Sequence, residues 1–234
     1  MARTLLFLLG GSEGTLDLVA EEFVPAAGGR DSSIVLALMG GQGWEDHVPE
    51  YTEPWARQGA NRHHVIVPGD NGTLDVALAS ARLREATGIL IGGGHTPTYH
   101  RLYATEPIRS VIRQQYQKGV PVAGLSAGAL IAPDICAMRP SRDATDQPLA
   151  IVEGLGLVSD LIVGVHFAER QTLPTVLEAM SRTQTHHGLG IDATACAVLE
   201  NGRLKRVLGR SVYEITMTDF KTKAHKIAEA RQGC

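Results

Sequence analysis

The pentapeptide Gly124-Leu125-Ser126-Ala127-Gly128 is the stretch of the chain best suited to covalent chemistry. It has the G-x-S-x-G pattern, follows the apolar run VPVAGL and precedes the small, helix-permissive ALIA. In the order strand, sharp turn, helix, this pattern lifts a serine hydroxyl to the carboxyl edge of a sheet. The glycines permit the tight turn, and the following helix aims its positive end and the Ala127 N–H at a developing oxyanion. The chemistry implied for Ser126 is attack on a carbonyl. A Gly-rich turn with a buried, capped serine has the same local sequence, so the pattern by itself does not decide the role.

Ile91-Gly92-Gly93-Gly94-His95 adds a second feature. Three consecutive glycines leave backbone N–H groups uncovered and able to approach a ligand. One of them can pair with the Ala127 N–H as an oxyanion hole. A nucleotide phosphate loop is the alternative, but neither Gly-Lys-Ser/Thr nor G-x-G-x-x-G is present here. Gly40-Gly41-Gln42-Gly43 ends another strand and either lines the same edge or is only a turn. A nucleophilic serine needs a base within hydrogen-bond reach. Of the nine histidines, His166 is best placed, at the end of the apolar strand LIVGVHF. His63, His64, His186, His187 and His225 lie in polar surroundings, whereas His95 and His100 flank the glycine loop and suit contact with substrate. No His pair has metal-ligand spacing with a carboxylate.

These groups require a scaffold that brings strand ends together. Apolar runs predict strands over 4–9, 33–39, 64–67, 88–91 and 120–124, and helical patterns predict helices over 15–25, 49–60, 73–85 and 106–118. Such alternation implies an α/β fold with a mostly parallel sheet and helices on both faces. Sheets of this kind bind ligands at the carboxyl ends of their strands. Further strands are expected over 161–167, 190–191, 195–200, 203–208 and 212–217. Asn201-Gly202 is a hairpin signal, so antiparallel strands near the C-terminus are expected to extend one sheet edge. Residues 133–148, with three prolines and no apolar period, read as a loop. Residues 219–234 are polar and read as a peripheral helix or a tail of a single α/β domain spanning 1–234.

The bulk composition narrows the function classes. A net charge of −3 gives no electrostatic case for nucleic acid. The apolar start, Leu5 to Leu9, is too short for a signal core or a membrane span, and no other stretch approaches membrane length. Cys136, Cys196 and Cys234 are scattered and odd in number, which suits a reducing cytoplasm better than a disulfide framework. No cofactor is required by this chemistry.

The set GGGHT, GLSAGA, HFAER and GLGIDATACAV, in that order and spacing, resembles the dipeptidase E and cyanophycinase family of serine peptidases, from the first strand to the NG hairpin. The resemblance implies the fold of class I glutamine amidotransferases, in which a Cys occupies the elbow. It assigns Ser126 as nucleophile, His166 as base and the amides of Gly94 and Ala127 as the oxyanion hole. It also assigns Arg170, four residues after the His, to an acidic substrate group, with His95 and Thr96 in the substrate site.

This sequence departs from the family in three places. Where relatives place a Glu after the Asp of the GID-type strand, as third triad member, Ala193 stands here. Asp192 is adjacent, but one step along a strand turns a side chain to the opposite face. Asp143 and Asp146, in the loop after the elbow, are the alternatives. The extra arginines of cyanophycinases are replaced by Gln171, Thr172, Pro174 and Thr175, and the Asn of the dipeptidases' glycine loop is His95. The first expectation is a serine peptidase acting on a small, acidic, peptide-like substrate. A homodimer is compatible with it. An esterase using His225 and a non-catalytic amidotransferase-like binding domain are the competing classes.

Overall fold

The computed structural model describes residues 2–11, 14–139 and 148–230. Chain order runs β1 (Leu5–Leu9), α1 (Thr15–Ala26), β2 (Ile34–Ala37), α2 (Val48–Arg57), β3 (His63–Ile66), α3 (Val76–Glu85), β4 (Gly88–Ile91), α4 (Thr96–Tyr103), α5 (Ile108–Gln117), β5 (Val122–Leu125) and α6 (Ala127–Ile131). It continues through β6 (Ile135–Met138), β7 (Ala150–Glu153), β8 (Leu161–Val165), α7 (Leu173–Thr183), β9 (His187–Ile191), β10 (Ala195–Glu200), β11 (Arg203–Gly209), β12 (Val212–Asp219) and β13 (Ala224–Ala230).

A seven-stranded sheet has the order β11-β10-β1-β5-β4-β2-β3. Its five strands from β1 to β3 are mutually parallel, and β10 and β11 extend the β1 edge antiparallel. The apolar runs of these parallel strands are continuous because both faces are covered. Phe7, Leu9, Ile34 and Leu36 pack with α1 and α2 on one face. Leu6, Leu8, Val35 and Ala37 pack with residues of α3, α4, α5 and α6 on the other. All five strands therefore deliver their carboxyl ends to one edge, where β5 ends at the elbow between the ends of β1 and β4.

A second sheet, of order β13-β12-β9-β8, lies over the α6 side. Leu161, Val163, Val165, Leu189 and Ile191 join the large core, while Ile162 and Ile215 face α7 with Val176, Ala179 and Met180. Three glycines of this sheet let α7 and the Phe167 ring sit close against it. A Cβ on Gly164 would lie 2.6 Å from Val176, one on Gly188 2.9 Å from Met180, and one on Gly190 2.5 Å from the Phe167 ring.

Two expectations need correction. Residues 219–230 do not form the expected peripheral helix or tail: β13 pairs antiparallel with β12, from Val212↔Ala230 to Asp219↔Ala224. Its AHKIAEA sequence is helix-permissive, but the β12 edge supplies hydrogen-bond partners that override local propensity. The stretch 133–148 also contains β6, which pairs with β7, a strand too short and too mixed in character to show a period. In addition, α4 begins with Thr96-Pro97, a first-turn proline signal that was legible but lay hidden next to the glycine loop. Among the described residues, no helix is long and apolar enough to cross a membrane.

Candidate active site

The elbow has the geometry its glycines foreshadow. A Cβ on Gly124 would lie 2.5 Å from the Gly128 backbone, and one on Gly128 2.3 Å from the Ile91 carbonyl oxygen. Neither position admits a side chain. Ser126 itself sits at φ 50°, ψ −101°, a sparsely populated region for a residue with a Cβ. Its N–H donates to the Leu9 carbonyl at 2.9 Å, and the Gly128 N–H donates to the Gly92 carbonyl at 3.2 Å. The turn is thus tied to the strands on both sides. Ala127 opens α6, so its N–H has no carbonyl partner within the helix.

His166 follows β8 and also has positive φ, 48°. Its Nε2 lies 3.0 Å from Ser126 Oγ, across 40 residues of sequence and between two different sheets. The next residue, Phe167, anchors this turn. Its N–H donates to the Ile191 carbonyl at 3.1 Å, its ring covers Gly190, and it stacks at 5.1 Å on Tyr213. The Arg170 N–H closes the turn on the His166 carbonyl at 2.9 Å.

The glycine loop after β4 is held from behind by tyrosines. The hydroxyls of Tyr99 and Tyr51 would stand 2.7 and 3.3 Å from a Cβ on Gly92. The Tyr103 hydroxyl, with one proton to share, lies 2.5 and 2.9 Å from the carbonyl oxygens of Leu38 and Ile66 and so ties the ends of β2 and β3 together. The loop amides are then engaged one by one. Gly92 donates to Ala37 at 2.9 Å, Gly93 reaches the Tyr51 hydroxyl, and His95 donates to Met39 Sδ at 3.5 Å. Among the described residues, Gly94 is the loop amide not engaged in this way, and it lines the same cleft as Ser126. Its φ of 148° suits glycine, and a Cβ there would meet Met39 at 2.8 Å.

The carboxylates expected near His166 are placed differently. Asp192 is buried at 8% exposure, and its Oδ1 accepts the Ala168 N–H at 3.0 Å. It therefore braces the turn that carries His166 rather than bonding the imidazole. Burial raises its pKa, with the neighbouring Glu169 charge adding to the effect against the Ala168 hydrogen bond. Ala193 does not leave its surroundings without a carboxylate: both Glu169 oxygens accept the Ala193 N–H, at 3.1 and 3.2 Å. Gly10 and Gly11 explain the close approach, since a Cβ on Gly10 would lie 2.1 Å from the Asp192 carbonyl oxygen. Asp143 and Asp146 lie outside the described residues.

The cleft has a volume of about 1030 Å³. Gly94, His95, Thr96, Ser126 and Arg170 line it, and so do Met39 and Arg139, which sequence reasoning missed. Met39 had a usable signal, its place between a strand and a double glycine at the carboxyl edge. The other histidines are elsewhere or otherwise occupied. His95 Nδ1 meets Thr98 Oγ1 at 3.0 Å, His100 Nε2 meets the Glu153 carbonyl at 2.8 Å, and His225 on β13 meets the Lys223 carbonyl at 2.9 Å. Among the described residues, no three His, Cys, Asp or Glu side chains converge as a metal site requires. Cys136 and Cys196 are buried, which pushes the Cys136 thiol up to about 12 and leaves it unreactive.

Comparisons with known proteins show the family and the fold. A cyanophycinase from Synechococcus elongatus is 28% identical over 222 residues, covering 93% of this chain and 68% of that protein. An uncharacterized peptidase of Bacillus subtilis, YgaJ, is 26% identical over 149 residues, covering 62% of this chain and 60% of its own. A crystal structure of a peptidase from an acI-B1 Actinobacterium superposes with a TM-score of 0.74 over 98% of this chain and 95% of its own, at 17% identity, a likeness of fold. The sequence model of peptidase family S51 matches residues 46–207, and the chain belongs to that family of serine-type peptidases.

Proposed function

We propose that this peptidase cleaves an amide bond in a small acidic peptide through an acyl-enzyme, with Ser126 as nucleophile and His166 as general base. The observation that carries the reading is the 3.0 Å contact between Ser126 Oγ and His166 Nε2, made by a serine held at positive φ on a glycine-flanked elbow. Two separate strained turns converge on one hydrogen bond, which a merely structural serine does not require.

The steps follow from this placement. With His166 neutral and protonated on Nδ1, Nε2 accepts the Ser126 proton as Oγ bonds to the scissile carbonyl carbon. The carbonyl oxygen becomes an oxyanion between the Gly94 and Ala127 N–H groups, where α6 directs its positive end. His166 returns the proton to the leaving amine, the C–N bond breaks, and Ser126 holds the acyl group. Water then attacks with His166 as base, and the Ser126 hydroxyl is restored. Arg170 lines the cleft and offers a planar fork to a carboxylate beside the scissile bond.

Asp192 serves this reading as a brace for the His166 turn, which leaves Asp143 and Asp146 as candidates for the third triad member. A fluorophosphonate should label the chain once, at Ser126, and Ser126→Ala should abolish both labelling and peptide cleavage. An adduct that persists in Ser126→Ala refutes the assignment. Comparing Asp143→Asn, Asp146→Asn and Asp192→Asn on one peptide tests the acid, since loss of a triad Asp costs about 10⁴-fold in turnover.

A further inference from the structure

The cleft extends well past the nucleophile. Its volume of about 1030 Å³ lies at the upper end of small-ligand sites, which run to about 1,000 Å³. Leu130, Ile162, Val163 and Val176 make much of the wall apolar, and arginines stand in two separate places. Arg170 belongs to the turn that carries His166. Arg139 comes from another element, the residue directly after β6.

Arg139 is held in position through α7. Arg182 donates to the Leu149 carbonyl at 2.7 Å, which fastens the β6–β7 ribbon to that helix. The Glu178 carboxylate lies 3.7 Å from Arg139 and 3.5 Å from Arg182. The Arg139 side chain is only 27% exposed. A guanidinium has five N–H donors, so steering by Glu178 and engagement of a ligand carboxylate are compatible. From α7 the wall takes Thr172, beside the Arg170 turn, Thr175 and Val176, and Glu178, the carboxylate that steers Arg139, follows two residues further along the helix. Six residues of helix span about 9 Å, and an extended peptide covers about the same length in two to three residues.

We propose that Arg139 is a second anion-recognising group of the cleft. Its ligand is the free C-terminal carboxylate of a short acidic peptide, two to three residues beyond the scissile bond. The proposal rests on the peptidase reading above and adds a length and an end-group to it. An apolar-walled cleft strengthens a guanidinium–carboxylate pair relative to the same pair in open water. One arginine beside the scissile bond and a second at the far end would together act as a ruler for small dianionic peptides.

The test compares peptides Asp-Ala, Asp-Ala-Ala and Asp-Ala-Ala-Ala and their Ala-first counterparts, each as free acid and as C-terminal amide, with kcat/KM measured for wild type, Arg139→Met, Arg139→Lys and Arg170→Met. Wild type should prefer the acid over the amide by on the order of 10- to 100-fold at the best length, the scale of one charged hydrogen-bonded contact. Arg139→Met should bring that ratio close to one, chiefly through KM, and Arg139→Lys should retain part of it. Arg170→Met should keep the acid-over-amide ratio while losing the preference for Asp over Ala at the first position. A wild-type ratio of one, or a ratio unchanged in Arg139→Met, overturns the proposal. Calorimetric binding of the same pairs to Ser126→Ala provides a readout independent of turnover, and equal affinities for acid and amide also overturn it. Cleavage at wild-type rate by Ser126→Ala would instead refute Ser126 as the nucleophile, leaving the acid-over-amide comparison to decide on Arg139 alone.

Discussion

Gly190→Ala should disable the site without touching it. The added methyl would lie 2.5 Å from Cγ and Cδ2 of Phe167, against the 3.4 Å at which ordinary contacts begin. The ring must therefore retreat by about 1 Å, a shift of the kind that overpacking produces. Tyr213, stacked at 5.1 Å, resists that movement. Phe167 is bonded to His166, and His166 holds an unfavourable positive φ to place Nε2 3.0 Å from Ser126. A displacement of about 1 Å at such a site costs on the order of 10²-fold in rate. The overpacking itself costs roughly 1–3 kcal/mol of stability, so the protein should remain folded at 25 °C. The assay is kcat/KM on one acidic peptide for wild type, Gly190→Ala, Phe167→Leu and the double variant, with thermal melts of all four. Phe167→Leu removes the ring that the methyl strikes, so the double variant should recover part of the loss and show non-additivity. Wild-type turnover in Gly190→Ala, or a double variant no better than the single one, would refute the argument that Phe167 on Gly190 sets the His166 position.

His166→Ala should lower turnover by roughly 10²–10⁴-fold with the fold retained, and near wild-type turnover would require another base. Tyr51→Phe removes the hydroxyl that engages Gly93. It should reduce kcat more than KM, by less than the roughly 10²–10³-fold lost when an oxyanion donor is deleted, and a pure KM effect would contradict the positioning role. Asp192→Asn keeps an oxygen for the Ala168 N–H but removes a buried charge. Because the native carboxyl has a raised pKa, the native state binds its proton more readily than the unfolded chain, so Asp192 weakens stability as pH rises through and above the unfolded value of 3.8. Asp192→Asn should therefore gain on wild type in urea melts between acidic and neutral pH, and a gap that narrows as pH rises would show the opposite sign.

Much of the scaffold is legible in local sequence. The runs LLFLL, IVLA, GILI and VAGL are apolar throughout because helices cover both faces of a parallel sheet, and that is a property of each segment separately. The elbow is legible for a similar reason, since the backbone collisions that exclude side chains at Gly124 and Gly128 arise within a few residues and from one neighbouring strand. His166 was identifiable as the end of a buried strand, but its meeting with Ser126 depends on β8 entering a second sheet above α6, which no local pattern records. The polar strand β13 is set by the β12 edge beside it rather than by its own residues. The same holds for Asp192, Tyr51 and Arg139. Strand alternation turns Asp192 away from the face of the relatives' Glu, but that its carboxylate ends on the Ala168 N–H is a tertiary contact. Tyr51 comes from a helix on one side of the sheet and Arg139 from a ribbon beside α7. What the sequence by itself determined was the nucleophile's turn and the layered sheet that presents it. The partners around that turn come from segments distant in the chain, and only the tertiary packing that closes those distances decides which side chains face the cleft.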